Sequence, residues 1–181
     1  MSHTRVIFFF ALVYGSLVAA PELHAQRVYW TNSGKIQRAN VDGSGIETVL
    51  ANRLIRPLYT AIDHEAGKIY WTDGQVFGTM PVIRRCNLDG TDIENIVSQG
   101  LNGPVGIAID NDTGRIYWTD SGLGAIKRAD FDGTNPETVL SGLILPNGLA
   151  IDRVDNKMYW TGKGPDFFTT VIQRANLDGT N

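Results

Sequence analysis

One cysteine in 181 residues, Cys86, cannot close an intrachain disulfide, so this is not a module stapled by disulfides. Basic residues do not dominate: 16 Lys and Arg against 19 Asp and Glu give a net charge of −3. That argues against a nucleic-acid binder, which needs a basic face for phosphates. Histidine is scarce as well. His3 and His24 fall in the first 25 residues, which leaves His64 on a turn, and one turn histidine assembles neither a Ser-His-Asp nor a Cys-His arrangement. Beyond residue 25 no apolar run approaches the roughly 20 residues that a membrane span requires. With 43% apolar residues, 20 Gly and 7 Pro, the remainder has the composition of an ordinary folded domain.

The start of the chain reads as an address. Arg5 precedes an apolar stretch from Val6 to Ala20, followed by Pro21-Glu-Leu-His-Ala25, with small residues at Ala20 and Ala25 as cut points. This is the layout of a secretory signal peptide over residues 1–25. Arg5 and Glu22 cancel, so the mature chain keeps its charge and is expected outside the cytoplasm, in the extracellular space or a periplasm.

From residue 27 onward the chain repeats a single phrase. Tyr-Trp recurs at Tyr29-Trp30, Tyr70-Trp71, Tyr117-Trp118 and Tyr159-Trp160, each time after a basic and an aliphatic residue and before Thr31, Thr72, Thr119 or Thr161. A second phrase, Ile-x-Arg-small-Asx-apolar-Asp-Gly, begins at Ile36, Ile83, Ile126 and Ile172. Short aliphatic runs come next at Glu47, Glu94 and Glu137, and a third phrase, Pro-x-x-x-Ala-Ile-Asp, begins at Pro57, Pro104 and Pro146. Each piece is short, rich in β-branched and aromatic residues, and bounded by Gly, Asp or Asn, which is a strand signature. Asp-Gly closes the second phrase each time, a strong hairpin signal. The repeat units span 27–67, 68–114, 115–156 and 157–181, the last partial. Every complete unit is a four-stranded antiparallel meander with no sequence left for a helix, so the fold class is all-β. A lone sheet of this kind cannot bury both faces, and neighbours must stack.

With Ile69-Tyr-Trp-Thr-Asp73, Ile116-Tyr-Trp-Thr-Asp120, Ile-x-Arg-Ala-Asn-x-Asp-Gly and Pro146-Asn-Gly-Leu-Ala-Ile-Asp152 in phase, the chain resembles the low-density-lipoprotein-receptor class B, or YWTD, repeat family. The resemblance covers residues 27–181. It implies blades of a β-propeller, usually six to a ring, acting as an extracellular or periplasmic protein-binding platform. No cysteine-rich module flanks the repeats, which suggests a stand-alone bacterial-type relative. Fourteen strands against the 24 of six blades imply a partial sequence, and open blade edges invite pairing with another chain. Two units depart from the motif at the acidic position, with Asn32 and Gly162. If that carboxylate braces a neighbouring strand, those two blades are expected to be looser.

The paired aromatics Tyr29, Trp30, Tyr70, Trp71, Tyr117, Trp118, Tyr159 and Trp160 are read as inter-blade core, with Asp73 and Asp120 as structural carboxylates. Arg38, Arg85, Arg128 and Arg174 recur once per unit and suggest a structural ion pair. Cys86 fills the slot of Ala39, Ala129 and Ala175 as a small buried residue. The Asx-x-Asp-Gly turns lack the full oxygen ladder of a calcium loop, so no metal or other cofactor is assigned. Asn111-Asp112-Thr113 is a glycosylation sequon on an expected turn.

Function is sought where the units differ. Loops between the second and third strands, and the links between blades, emerge on one rim. The long loops carry Val76, Phe77, Met80 and Pro81, then Asp166, Phe167 and Phe168, and the links add Arg53, Arg56 and Asn102. Exposed aromatics and Met on loops held by a rigid scaffold suit the anchoring of a protein or peptide partner. Phe77 and Phe167 could instead tuck under their own loops. A rival reading is a metal-dependent propeller enzyme of gluconolactonase or lyase type, in which a stretch like Pro146-Asn147-Gly148 supplies a metal-binding Asn at the channel mouth. The inner strands offer Thr60, Ala61, Ile107, Ala108, Leu149 and Ala150 there rather than converging carboxylates, which favours the binding module.

Overall fold

The computed structural model describes residues 27–51, 54–74 and 79–180. The signal peptide expected over residues 1–25 lies outside the described residues. Each repeated phrase forms a strand, and the strands fall into four antiparallel sheets. The first sheet joins β1 (Arg27–Asn32), β2 (Lys35–Asn40) and β3 (Glu47–Leu50). The second joins β4 (Pro57–Asp63), β5 (Lys68–Asp73), β6 (Val82–Asn87) and β7 (Glu94–Val97). The third repeats that order with β8 (Pro104–Asp110), β9 (Arg115–Asp120), β10 (Ala125–Asp130) and β11 (Glu137–Leu140). The fourth holds β12 (Leu149–Asp152), β13 (Lys157–Lys163) and β14 (Thr170–Asn176). Sequential strands pair throughout, and no helix occurs among the described residues.

The sheets stand as blades around a common axis, because their first strands pack side by side, β4 beside β8 and β8 beside β12. The apolar residues are shared between blades rather than kept within one. Ile36 and Leu50 of blade one meet Ile69, Trp71 and Cys86 of blade two. Tyr70, Ile83 and Val97 of blade two meet Ile107, Ile116, Trp118 and Ala129 of blade three. Ile126 of blade three meets Met158, Trp160 and Ala175 of blade four. Trp71 and Trp118 are 0% exposed. A fully buried aromatic of this size holds about 3–5 kcal/mol against truncation to Ala. Cys86 is buried among these side chains, and desolvation pushes its thiol up to about 12.

The terminal blades correct the uniform reading of the aromatic pairs. Trp30 and Tyr159 are only half-buried, since among the described residues no blade covers the outer face of blade one or blade four; Tyr29 is half-buried too, although it packs against the core between blades one and two and its ring meets His64.

Two devices fasten each blade to the next. The guanidinium of Arg38 donates to Glu47 of its own blade at 2.6 Å and to the carbonyl of Leu88 in blade two at 2.7 Å. Arg85 repeats this with Glu94 (2.6 Å) and Phe131 (3.0 Å), and Arg128 with Glu137 (2.7 Å) and Leu177 (3.1 Å). The recurring arginine is therefore an ion-pair partner and also an inter-blade strap. The second device is the Asp-Gly turn. Gly133 has φ +85°, and a Cβ there would fall 1.9 Å from the Ile96 carbonyl oxygen of the preceding blade. Only glycine accepts both the backbone conformation and the contact.

Candidate functional site

The inner ring is built on bulges in the first strands, where the register of β4 shifts between Pro57 and Thr60 and that of β8 between Pro104 and Ile107. Each bulge turns one peptide group out of its own ladder, and threonines take up both of its ends. Thr31 donates to the Leu58 carbonyl at 2.8 Å, while the Tyr59 N–H of that same peptide donates to Thr72 Oγ1 at 3.4 Å. Thr72 donates in turn to the Val105 carbonyl at 2.5 Å, and the Gly106 N–H donates to Thr119 at 2.8 Å. Thr119 donates to the Asn147 carbonyl at 2.5 Å, and the Gly148 N–H donates to Thr161 at 3.0 Å. The result is a relay of alternating hydroxyls and peptides through all four blades. Such chains polarise one another and hold their members rigidly.

The motif carboxylates act one level further out, on the links between blades. Asp73, wholly buried, accepts from the N–H groups of Ile55 (3.0 Å) and Arg56 (2.5 Å) and pairs with Arg84 at 3.2 Å. Asp120 accepts from the N–H groups of Asn102 (2.9 Å) and Leu123 (3.1 Å). This corrects the expectation that the carboxylate braces a neighbouring strand: it shapes the rim itself. Where Gly162 stands in place of the acid, the Lys163 N–H still donates to the Ile144 carbonyl of the link at 2.8 Å, as the Gly74 N–H does to Arg56 and the Ser121 N–H to Gly103 in the blades that keep the acid. Absence of the carboxylate therefore does not leave that link unheld.

At the rim between blades three and four these elements enclose a hollow of about 440 Å³. Val105 and Asn147 come from the first-strand segments, Ser121 from the turn after β9, and Leu145 from the link. Gly162, Lys163 and Thr170 border the long loop of blade four. Lys163 Nζ donates to the Phe168 carbonyl and to Thr170 Oγ1, each at 3.3 Å, and so ties this wall to the loop.

The loop is tightly organised. The Asp166 carboxylate accepts from the N–H groups of Phe168 (3.0 Å) and Thr169 (2.9 Å) and from the Thr169 hydroxyl at 2.5 Å. The Thr169 hydroxyl bond, first among these, holds the Asp166 carboxyl below its ordinary value. The Gly164 N–H donates to Thr169 and the Phe167 N–H to Gly164, closing the loop on itself. Phe167 is thereby held at φ +62°, in the left-handed region that bulky residues avoid. Both rings point to solvent, Phe167 62% and Phe168 88% exposed.

Met80 is 69% exposed and Arg56 is exposed, both on the rim of blade two, while Pro81 is buried. Blade three separates them from Asp166, Phe167 and Phe168, so the rim carries two clusters rather than one. Arg53, Val76 and Phe77 lie outside the described residues. Lys163, Ser121 and Leu145 carry no sequence signal, because a hollow assembled from three separate segments leaves no local pattern. Asn147 stands out in the sequence only for the enzyme reading. Its amide oxygen accepts from the Tyr59 hydroxyl of blade two at 3.4 Å.

The turn carboxylates are engaged as well. Asp89 accepts from the Thr91 N–H and hydroxyl, and Asp132 from those of Thr134. Among the described residues no group of three His, Cys, Asp or Glu side chains is arranged to hold a metal ion. The sequon amide of Asn111 donates to Asp63 at 3.1 Å, and the Thr113 hydroxyl donates to Asp110. Both groups that a glycosylating enzyme must reach are thus occupied.

Comparison with known proteins agrees with this geometry. Residues 67–111 and 114–153 match the family model described as low-density lipoprotein receptor repeat class B. The low-density lipoprotein receptor-related protein 5 of Mus musculus is 36% identical over 53 residues, 27% of this chain and 3% of that protein. A chain in the crystal structure of a nidogen/laminin complex superposes with a TM-score of 0.75 at 31% identity, over 86% of this chain and 59% of that one. A putative TolB from Agrobacterium tumefaciens (TM-score 0.67, 15% identity, 81% and 54% covered) shares the fold. So does a gluconolactonase from Xanthomonas campestris (0.65, 18%, 81% and 53%). The chain thus spans little more than half the length of these solved structures. The fold defines radially stacked β-propeller blades. The blades over residues 67–111 and 114–153 match class B repeats, and the chain is similar in fold to the YWTD β-propellers.

Proposed function

We propose that this chain is a secreted, non-enzymatic module that recognises a protein or peptide with the loop rim of its blades. The observation that carries the reading is the Asp166–Thr169 loop. It spends backbone strain at Phe167 and three hydrogen bonds on holding two phenyl rings in water, beside a hollow whose mainly apolar walls carry a few polar groups. A loop with only a structural role would bury those rings; a preorganised conformation with exposed aromatics is what an interface anchor requires. The nidogen/laminin likeness supports the partner class, because that solved structure is itself a complex of two proteins. Export directed by residues 1–25 belongs to the same proposal, and the mature protein is expected to begin at Pro21 or Gln26.

Panning a random peptide library against the immobilised protein tests the reading. Selected peptides should lose about tenfold or more in affinity to Phe167→Ala/Phe168→Ala, and none to Val154→Ala, a substitution on the opposite, turn-bearing end of blade four. Peptides that bind both variants equally would contradict a rim site.

A further inference from the structure

We infer that the hollow between blades three and four is a carboxylate-binding pocket, which takes an acidic group of the partner recognised by the rim and so rests on the reading above. A comparison between blades carries the inference. At the end of the second strand of its blade, Asp73 stands opposite Val82 and Asp120 opposite Ala125, and Gly162 holds the same register position opposite Val171. Both carboxylates are wholly buried and engage the link that enters their own blade. Asp73 accepts from the Ile55 and Arg56 N–H groups, and Asp120 from that of Asn102. Blade four keeps the link but has no acid at that position to receive it.

The N–H groups of Ile144 and Leu145, which precede Pro146 as Ile55 and Arg56 precede Pro57, meet no acceptor among the described residues. Leu145 sits at φ +45°, a left-handed conformation that a leucine avoids, so the link is held bent at this point. Leu145 and Gly162 border the hollow together with Lys163. Lys163 Nζ directs two of its three donors to neutral oxygens, the Phe168 carbonyl and the Thr170 hydroxyl, and pairs with no carboxylate among the described residues. Ser121 and Asn147 add a hydroxyl and an amide, while Val105 and Leu145 supply apolar wall. The acids closest in sequence are engaged elsewhere, Asp120 with Asn102 and Leu123, and Asp166 with Phe168 and Thr169 of its own loop.

An unmatched ammonium and two unmatched N–H groups thus surround a hollow that borders the position where two other blades place a carboxyl. Together they specify a carboxylate delivered from outside. A glutamate side chain fits, because its methylenes can lie on Val105 and Leu145 while its charge meets Lys163, and partial exclusion of water strengthens such a pair. Every group named belongs to blades three and four or to the link that joins them, so the pocket needs nothing from the outer edge of blade four.

The probe is the capped tripeptide acetyl-Gly-Glu-Gly-amide, titrated into the isotope-labelled whole chain and followed through its backbone amide resonances, with the Gln tripeptide as control. Saturable shifts are expected at Ile144, Leu145 and Lys163 with the Glu tripeptide and not with the Gln one. Affinity should fall about tenfold or more in Lys163→Gln. Binding should be lost in Gly162→Asp, which supplies the acid from within the chain. A Cβ at residue 162 would lie 3.0 Å from the Ile144 carbonyl oxygen, so Lys163→Gln decides the matter if Gly162→Asp does not fold. Acetyl-Gly-Gly-Gly with a free C-terminus separates a chain-end carboxylate from a side-chain one, and saturation by either upholds the pocket. Shifts with neither carboxylate, equal shifts with the Gln tripeptide, or affinity unchanged in Lys163→Gln overturn it. The probes offer no group to the exposed rings, so the titration should run alike in Phe167→Ala/Phe168→Ala, and failure of the pocket is thereby distinguished from failure of the aromatic anchors.

Discussion

Thr72 of blade two donates its hydroxyl to the carbonyl of Val105 in blade three at 2.5 Å, while the same oxygen accepts the N–H of Tyr59 in its own blade. One side chain thus joins a first-strand bulge to the neighbouring blade. The hydroxyl is wholly buried, so neither the Val105 carbonyl nor the Tyr59 N–H has water to fall back on when it is removed.

Thr72→Val keeps the shape and deletes the hydroxyl. It should lower unfolding free energy by about 1–3 kcal/mol, the cost of leaving buried polar groups unmatched. Thr161→Val in blade four should cost less, because Thr161 is partly exposed and accepts from Gly148 without a described bond to a following blade. Urea midpoints of the two variants measure the difference; equal losses would show that the inter-blade bond contributes nothing.

The same logic separates the tryptophans. Trp71→Ala removes a ring buried against Ile36 and Leu50 and should cost about 3–5 kcal/mol. Trp30→Ala, at the half-buried face of blade one, should cost clearly less. Thermal unfolding of both proteins checks the order, and a reversed order would contradict the inter-blade core.

Acid should loosen the blades through the turn and strap carboxylates. The side-chain bond from Ser44, Thr91, Thr134 or Thr180 lowers Asp42, Asp89, Asp132 and Asp178, respectively, from 3.8, and the bond from Arg38 or Arg128 lowers Glu47 and Glu137 from 4.5. A carboxyl more acidic in the folded state than in the unfolded chain contributes stability above its unfolded value and loses it as pH falls through the folded one. Melting temperature should therefore hold near neutral pH and decline below about pH 4.5. A flat profile down to pH 2 would show that these bonds do not count.

Much of the blade pattern was legible in the sequence because every strand is short, β-branched or aromatic, and bounded by a turn signal. Asp-Gly marked its hairpins unambiguously, and Arg38, Arg85 and Arg128 betrayed a structural pairing by their recurrence. The threonine relay was not legible. Thr31, Thr72, Thr119 and Thr161 are plain in the motif, yet their hydroxyls matter only because a bulge on a different strand turns a peptide toward them. The half-burial of Trp30 and Tyr159 was hidden for a similar reason, since it depends on neighbours rather than on the residues themselves. Within the candidate site, Phe167 and Phe168 stood out as an irregularity between repeats. Lys163 and Leu145 join them only in three dimensions, and Asp120, legible only as a structural carboxylate, shapes the rim by binding the backbone of Asn102 in the link.

Recognition by the rim is tested most directly by calorimetric titration of a panned peptide into the wild-type protein and Phe167→Ala/Phe168→Ala, with melting temperatures taken on the same samples. The expected result is a loss of about 2 kcal/mol of binding energy, roughly thirtyfold in Kd, with the melting temperature essentially unchanged. Unchanged affinity, or a melting temperature that falls as far as that of Trp71→Ala, would contradict it by showing the two rings to be bystanders or part of the core.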